Sequence, residues 1–261
     1  MGSLDGKVAW ITGGGTGIGR ACALELARRG ATVAVSGRRA DRLAEVVQAV
    51  SAAGDRAIAV TCDVTDEASV VEAARRVEAE AGGLDVVLSN AGFGVGGRVA
   101  DLSDADWRRQ YDVNVFGTLN VVRATLPALQ RVQGRLALVG SVAAFVGSRK
   151  HGAYNSSKAA IRAIGETLSA ELHGTGVSCT TLHPGFVESE IGQVDNDGRF
   201  DPSRQDRRPA SLMWTAEDAA RVMIDAIVAR RREVVFTGHG RVIVALARLF
   251  PGLAAFVSRR I

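Results

Sequence analysis

Cysteine is scarce in this 261-residue chain, and the placement of what there is excludes two scaffolds. Cys22, Cys62 and Cys179 lie far apart, with no Cys-x-x-Cys and no neighbouring His pair. A disulfide framework and a zinc site are both excluded, no metal is expected, and a reducing compartment fits. No apolar run reaches the roughly 18 residues of a membrane-crossing helix. Residues 1–6 lack a basic stretch followed by an apolar one, so a cytoplasmic body is expected. The 30 glycines are too unevenly placed for a collagen-like repeat. Lysine is confined to Lys7, Lys150 and Lys158, against 29 Arg, and tyrosine to Tyr111 and Tyr154.

What is present is an ordinary globular composition. Hydrophobic residues make up 47% and charged residues 23%, which gives enough apolar surface to bury and excludes disorder as the main state. The net charge of +4 divides unevenly. Residues 219–261 hold eight Arg against Asp225 and Glu233, a net of +6, which leaves −2 for the first 218 residues. These cations form no recognisable nucleic-acid motif, so no nucleic-acid partner is expected.

Apolar runs alternate with helical patterns. Strands are predicted over 7–12, 32–36, 57–61, 84–89, 135–140, 177–182 and 233–237. Helices are predicted over 18–29, 41–53, 67–81, from 104, and over 118–132, 153–172 and 215–231. Ser103 and Thr215 read as N-caps, the first with Asp104 and Asp106 in the positive first turn, the second with Asp218 three residues on. Strands that are mostly apolar and separated by helices belong to a parallel sheet covered on both faces. The expected fold is α/β, a Rossmann-type doubly wound parallel sheet of seven strands. It forms a single domain over 1–238, with an extension over 239–261. The polar segment 188–213 is too long for an idle connection in such a domain and reads as a functional or mobile loop.

Between the first strand and first helix lies Thr12-Gly-Gly-Gly-Thr16-Gly17-Ile18-Gly19. Gly13, Gly17 and Gly19 allow a sharp turn and close approach to a phosphate, and the helix N-terminus behind them offers free N–H groups. At a strand–helix junction this reads as a pyrophosphate cradle. The second strand ends in Ser36-Gly37-Arg38-Arg39, with no acid to accept from a ribose 2′-hydroxyl. Two guanidinium groups suit a 2′-phosphate, so NADP(H) is expected over NAD(H), with Arg38 the stronger ligand. The alternative is that both Arg are solvated loop charges.

Tyr154 and Lys158 stand four residues apart on a predicted helix and so share a face. A nearby ammonium favours the phenolate, which suits a general acid/base. Ser141, thirteen residues before Tyr154, ends the fifth strand, on the edge where ligands bind in an open parallel sheet. The glycine pattern, Asn90-Ala91-Gly92, Asn114, Ser141 and Tyr154-Asn-Ser-Ser-Lys158 together resemble the single-domain short-chain dehydrogenase/reductase family, over about residues 7–237. The resemblance implies reversible hydride transfer between NADP(H) and a carbonyl/secondary alcohol pair. Ser141 would hold the substrate oxygen, Tyr154 would transfer the proton, Lys158 would also bind the nicotinamide ribose, and Asn114 would position a relay water. Asp63 and Val64 would lie at the adenine, and Asn90, Ala91 and Gly92 at the cofactor backbone. Pro184, Gly185 and Val187 would border the nicotinamide. The family's Thr after that Pro-Gly is here replaced by Ser189, which keeps a hydroxyl. Asp63 reads equally as an acid at the next helix, and Pro184-Gly185 as a strand-ending turn.

Segment 188–213 is the expected substrate lid, with Ile191, Phe200, Leu212, Met213 and Trp214 as apolar lining. Phe93, Phe145, Val146 and His151 are further candidates to face the substrate. In the extension, apolar residues recur at helical spacing and are interrupted by Pro251-Gly252, which predicts two short amphipathic helices. The first reading is docking on the body or on a second subunit of a dimer or tetramer. The second is peripheral attachment to an anionic membrane beside Arg248, Arg259 and Arg260. Two functions of different kinds remain open: a carbonyl reductase or alcohol dehydrogenase, and a non-catalytic dinucleotide sensor that binds partners on the same fold. Epimerases of related fold carry a larger C-terminal domain, for which this chain has no room.

Overall fold

Val8–Thr12 (β1) is buried at every position, and its side chains alternate between two separate cores. That is the behaviour of a central strand in a sheet covered on both faces. The computed structural model describes residues 4–206 and 208–258. Arg259 and Arg260, named above for membrane attachment, lie outside the described residues.

In chain order, β1 leads to α1 (Gly17–Arg28), β2 (Thr32–Gly37), α2 (Ala40–Ala52), β3 (Ala57–Thr61), α3 (Glu67–Ala81) and β4 (Val86–Ser89). Then follow α4 (Asp104–Tyr111), α5 (Gly117–Val132), β5 (Arg135–Val139), α6 (Gly152–Glu171) and β6 (Ser178–His183). The chain closes with α7 (Ala216–Val228), β7 (Glu233–Val235), α8 (Gly238–Leu249) and α9 (Pro251–Ser258). All strands are parallel, in the order β3-β2-β1-β4-β5-β6-β7. The expected doubly wound seven-stranded sheet is present. Its order reverses beside β1, so β1 and β4 part company with their helices on opposite faces and leave a crevice at their C-terminal ends.

Ile11, Val33, Val35 and Leu88 pack against Leu26 of α1, Val46 of α2 and Met223 of α7. On the other face, Trp10, Val87 and Leu136 meet Val77 of α3, Leu129 of α5 and Ile161 of α6. Each fully buried Leu, Ile or Val contributes about 1.5–3 kcal/mol, so the two cores fix the strand ends from which the site is built. Ser103 closes a capping box: its hydroxyl accepts from Asp106 N at 3.2 Å, and Asp106 accepts from Ser103 N at 3.0 Å. Thr215 accepts from Asp218 N at 3.1 Å in the same role at α7.

Most boundaries shift by one to three residues, and two differences have a visible cause. Residues 112–116 are a single π-helical turn that joins α4 to α5 without a break. β7 stops at Val235, because Phe236 turns into the core and Thr237 caps α8. The two short terminal helices are as expected, and Pro251 opens α9, where a missing N–H costs nothing. α8 docks on the body, burying Gly240 and Val244 and donating from Arg248 to Glu233 at 2.6 Å.

Candidate active site

The glycine loop after β1 leaves no room for side chains. A Cβ on Gly19 would stand 2.2 Å from the Gly13 carbonyl oxygen, and one on Gly13 would stand 2.9 Å from Ala91 Cα. Gly13 also has a φ of 63°, which favours glycine. Thr16 is the N-cap of α1, but its side chain makes no capping bond, and the first turn carries no acid. Those N–H groups stay free for an anion at the positive end of a 12-residue helix. The loop therefore fits a pyrophosphate. Ile18 turns the other way and packs on the α1 core.

Thr12 ties this loop to β4. Its hydroxyl accepts from Asn90 N at 3.1 Å and Ala91 N at 3.2 Å, and Asn90 Nδ2 donates to the Thr12 and Gly13 carbonyls at 3.0 and 3.1 Å. Gly92 follows, where a Cβ would lie 3.1 Å from Asn114 Oδ1 and 3.6 Å from Lys158 Nζ. Asp63 closes a turn, accepting from Thr65 N and Oγ1 at 3.0 and 2.8 Å. The N-cap of α3 is Asp66, so Asp63 is not the helix-capping acid. Val64 is buried beneath Gly117, and its carbonyl accepts from Asn120 at 2.9 Å.

Both guanidinium groups after β2 meet segment 188–213. Arg38 Nη2 donates to the Gly198 carbonyl at 3.2 Å. Arg39 Nη2 donates to Glu190 at 2.7 Å and to Thr16 Oγ1 at 3.3 Å. They are not simply solvated charges. The same segment is fastened on its far side, where Asn196 and Gly96 exchange bonds of 3.0 and 2.9 Å and Arg109 donates to the Asn196 carbonyl at 2.9 Å.

Asn114 sits in the π-helical turn, a feature that recurs at functional sites. Its amide holds Phe93 from both sides, accepting from Phe93 N and donating to Phe93 O, each at 3.1 Å, and also donates to Ser157 Oγ at 3.1 Å. Ser141 leaves β5 with its hydroxyl accepting from Ala143 N at 3.1 Å and hydrogen-bonded to Tyr154. Burial raises the Tyr154 phenol above its ordinary pKa, opposed by the Ser141 bond and the charge of Arg208. The expectation of a phenol drawn down by its ammonium neighbour is corrected here, because burial outweighs the charges. Lys158 Nζ donates to the Val139 carbonyl at 2.8 Å, lies 5.8 Å from the Tyr154 ring centroid, and is lowered by burial to about 8. Among the described residues, thiol chemistry finds no support. All three cysteines are buried, which pushes Cys62 to about 11 and Cys179 to about 12.

Pro184, Gly185 and Val187 leave the adjoining end of β6. Pro184 O accepts from Val142 N at 2.9 Å, Val187 O accepts from Arg208 at 2.8 Å, and Ser189 lies against Gly17, where a Cβ would stand 3.0 Å from Ser189 Cβ. Of the residues offered as substrate contacts, Phe145 is otherwise engaged. It lies between Arg162 and Arg248, 4.6 and 5.0 Å from its centroid, and edge-on to His183 at 4.9 Å. Trp214 packs on Phe236, and His151 bonds the Arg149 carbonyl at 2.8 Å in an exposed position.

Five residues at this edge carry no site role in the sequence reading. Buried His183 faces Ser141, with Nδ1 at 3.3 Å from its N and 3.2 Å from its O, while Nε2 is 3.2 Å from Glu233. Glu233 falls to about 2, held by His183 and Arg248 against its own burial. Arg208 pairs with Asp206 and donates to Ser189 O at 2.9 Å. Buried Thr237 carries a φ of 74°, unusual for a β-branched residue and costing about 1–3 kcal/mol. His239 accepts from Phe186 N at 3.0 Å. Nothing in the local pattern marks these residues, because each acts on a partner distant in the chain or through backbone atoms.

The chain's resemblances agree with this geometry. A short chain dehydrogenase family profile matches residues 7–199. An uncharacterized oxidoreductase of Myxococcus xanthus is 36% identical over 96% of this chain and 95% of its own length. A short-chain dehydrogenase/reductase from Burkholderia phymatum, solved with NAD, superposes with a TM-score of 0.85 at 30% identity, covering 97% of this chain and 95% of that one. An alcohol dehydrogenase from Thermococcus sibiricus, solved with 5-hydroxy-NADP, gives 0.78 at 27% identity, covering 88% and 96%. The chain is an oxidoreductase of the short-chain dehydrogenase/reductase family.

Proposed function

We propose that this oxidoreductase interconverts a carbonyl and a secondary alcohol with NADP(H), using Tyr154 as general acid/base. The observation that carries the reading is the meeting of Ser141, Tyr154 and Lys158 beside Gly92 and Asn114, at the crevice edge of the sheet. Gly13, Thr16, Gly17, Ile18 and Gly19 would hold the pyrophosphate; Asp63 and Val64 the adenine; Asn90, Ala91 and Gly92 the cofactor backbone; and Pro184, Gly185, Val187 and Ser189 the nicotinamide. Arg38 and Arg39 would take the 2′-phosphate, since β2 ends without an acid. When bound, NADP(H) supplies or accepts the hydride. Ser141 holds the substrate oxygen, and a phenol kept protonated by burial is ready to give that oxygen its proton. Lys158 presents its charge to the ribose side, and Asn114 fixes the backbone that a proton relay needs.

An NADPH-consuming screen of ketones, aldehydes, steroids, quinones and acyl carbonyls tests this reading. Turnover of at least one class is expected. Tight NADPH binding without turnover, together with a cofactor-dependent protein partner, would favour a sensing role instead.

The terminal helices extend the proposal. Val242 and Leu249 on α8, Phe250 between the helices, and Leu253 and Phe256 on α9 are exposed. No described helix is long and apolar enough to cross a membrane. We assign this face to a second copy of the chain, and a change in oligomer size after deletion beyond Gly238 is the expected result. Loss of liposome binding with unchanged oligomer size would favour the membrane.

A further inference from the structure

We propose that His239, on the first turn of α8, is a positioning residue that sets the loop bordering the nicotinamide. The inference rests on the reading that residues 184–187 form that border.

Three successive loops lie in contact at the crevice edge. Gly185 is pressed against Thr237 and His239, where a Cβ would stand 2.3 Å from Thr237 Oγ1 and 2.5 Å from His239 Nε2. Gly240 is pressed against Val142, the neighbour of Ser141, at 2.9 Å from an added Cβ. α8 is therefore part of the wall of the site. His239 Nε2 accepts from Phe186 N at 3.0 Å, and the two rings stack at 5.1 Å and 21°. This gives the loop both a fixed distance and a fixed plane. An acceptor at Nε2 requires an unprotonated nitrogen, and burial lowers the His239 pKa in that direction. Thr237 holds the ring in place. Its hydroxyl accepts from Gly240 N at 3.2 Å and lies 3.3 Å from His239 Nε2, on a backbone that a β-branched residue adopts only under constraint. That outlier sits beside the Gly185–Phe186 turn, where a displaced loop would misplace the cofactor's reactive end.

The test measures binding of NADPH and of 2′,5′-ADP, which lacks the nicotinamide, to the full chain and to His239→Phe and His239→Gln. Phenylalanine keeps a ring to stack but loses the acceptor, whereas glutamine offers an oxygen at similar reach. His239→Phe is expected to weaken NADPH about tenfold, the order of loss for a part-buried donor left without its acceptor, with 2′,5′-ADP unchanged. His239→Gln is expected to restore NADPH affinity. Unchanged NADPH affinity in His239→Phe would overturn the proposal. So would parallel loss of both ligands or failure of Gln to rescue, since each marks a general structural role. An unmutated protein that binds neither ligand would instead refute the cofactor reading itself, and the proposal with it.

Discussion

Lys158 donates from Nζ to the Val139 carbonyl at 2.8 Å, and the same ammonium lies 5.8 Å from the centre of the Tyr154 ring. The lysine is anchored to the sheet, while the tyrosine is bonded to Ser141. The two side chains share a helix face, as their spacing requires, and both are held at the C-terminal end of β5, one by a carbonyl and the other by a hydroxyl.

A buried ammonium makes stability depend on pH. Lys158 titrates near 8 when folded, below its ordinary 10.5. Below about 8 both states hold the proton, and the fold bears the full desolvation cost. Between 8 and 10.5 the unfolded chain keeps a proton that the folded chain has released, so this group's contribution rises with pH. Lys158→Met is therefore expected to raise the unfolding free energy at pH 7, by on the order of 3 kcal/mol at most, with the gain shrinking toward pH 10. A gain independent of pH would contradict the assignment.

Arg38→Ala should weaken NADPH by about tenfold or more while leaving NADH nearly unchanged, because it removes a charge-assisted bond to the 2′-phosphate alone. Cofactor titrations by nucleotide fluorescence check this. Equal affinities of the unmutated chain for NADPH and NADH would refute it.

Glu190 competes for the second cation. Its carboxylate accepts from Arg39 at 2.7 Å across a partly exposed pair. Glu190→Gln should tighten 2′,5′-ADP by up to about fivefold, the range of an exposed ion pair, and leave 5′-AMP unaffected. Calorimetry on both nucleotides distinguishes a gain at the 2′-phosphate from a general change.

The strand–helix alternation was legible because apolar runs such as 84–89 are bounded by amphipathic helices whose caps, Ser103 and Thr215, are local signals. The glycine loop was legible because its positions are close in sequence. Harder to read was anything joining distant segments. Arg38 and Arg39 face Gly198 and Glu190, roughly 150 residues away, and no spacing rule links them. The direction of Tyr154's shift depends on burial, which a motif does not encode. The extension read as separate from the chemistry because its basic charge and apolar spacing are its loudest features. The contact to which we assign a function is the histidine at its first turn, set against a backbone N–H.

The most direct test of the proposed chemistry is turnover and NADPH affinity of Tyr154→Phe, measured together with a carbonyl that the unmutated enzyme reduces. Loss of the phenolic proton should lower kcat by about a hundredfold or more, the usual contribution of a positioned acid/base, with NADPH binding unchanged. A Tyr154→Phe protein as active as the original would contradict the role assigned to Tyr154.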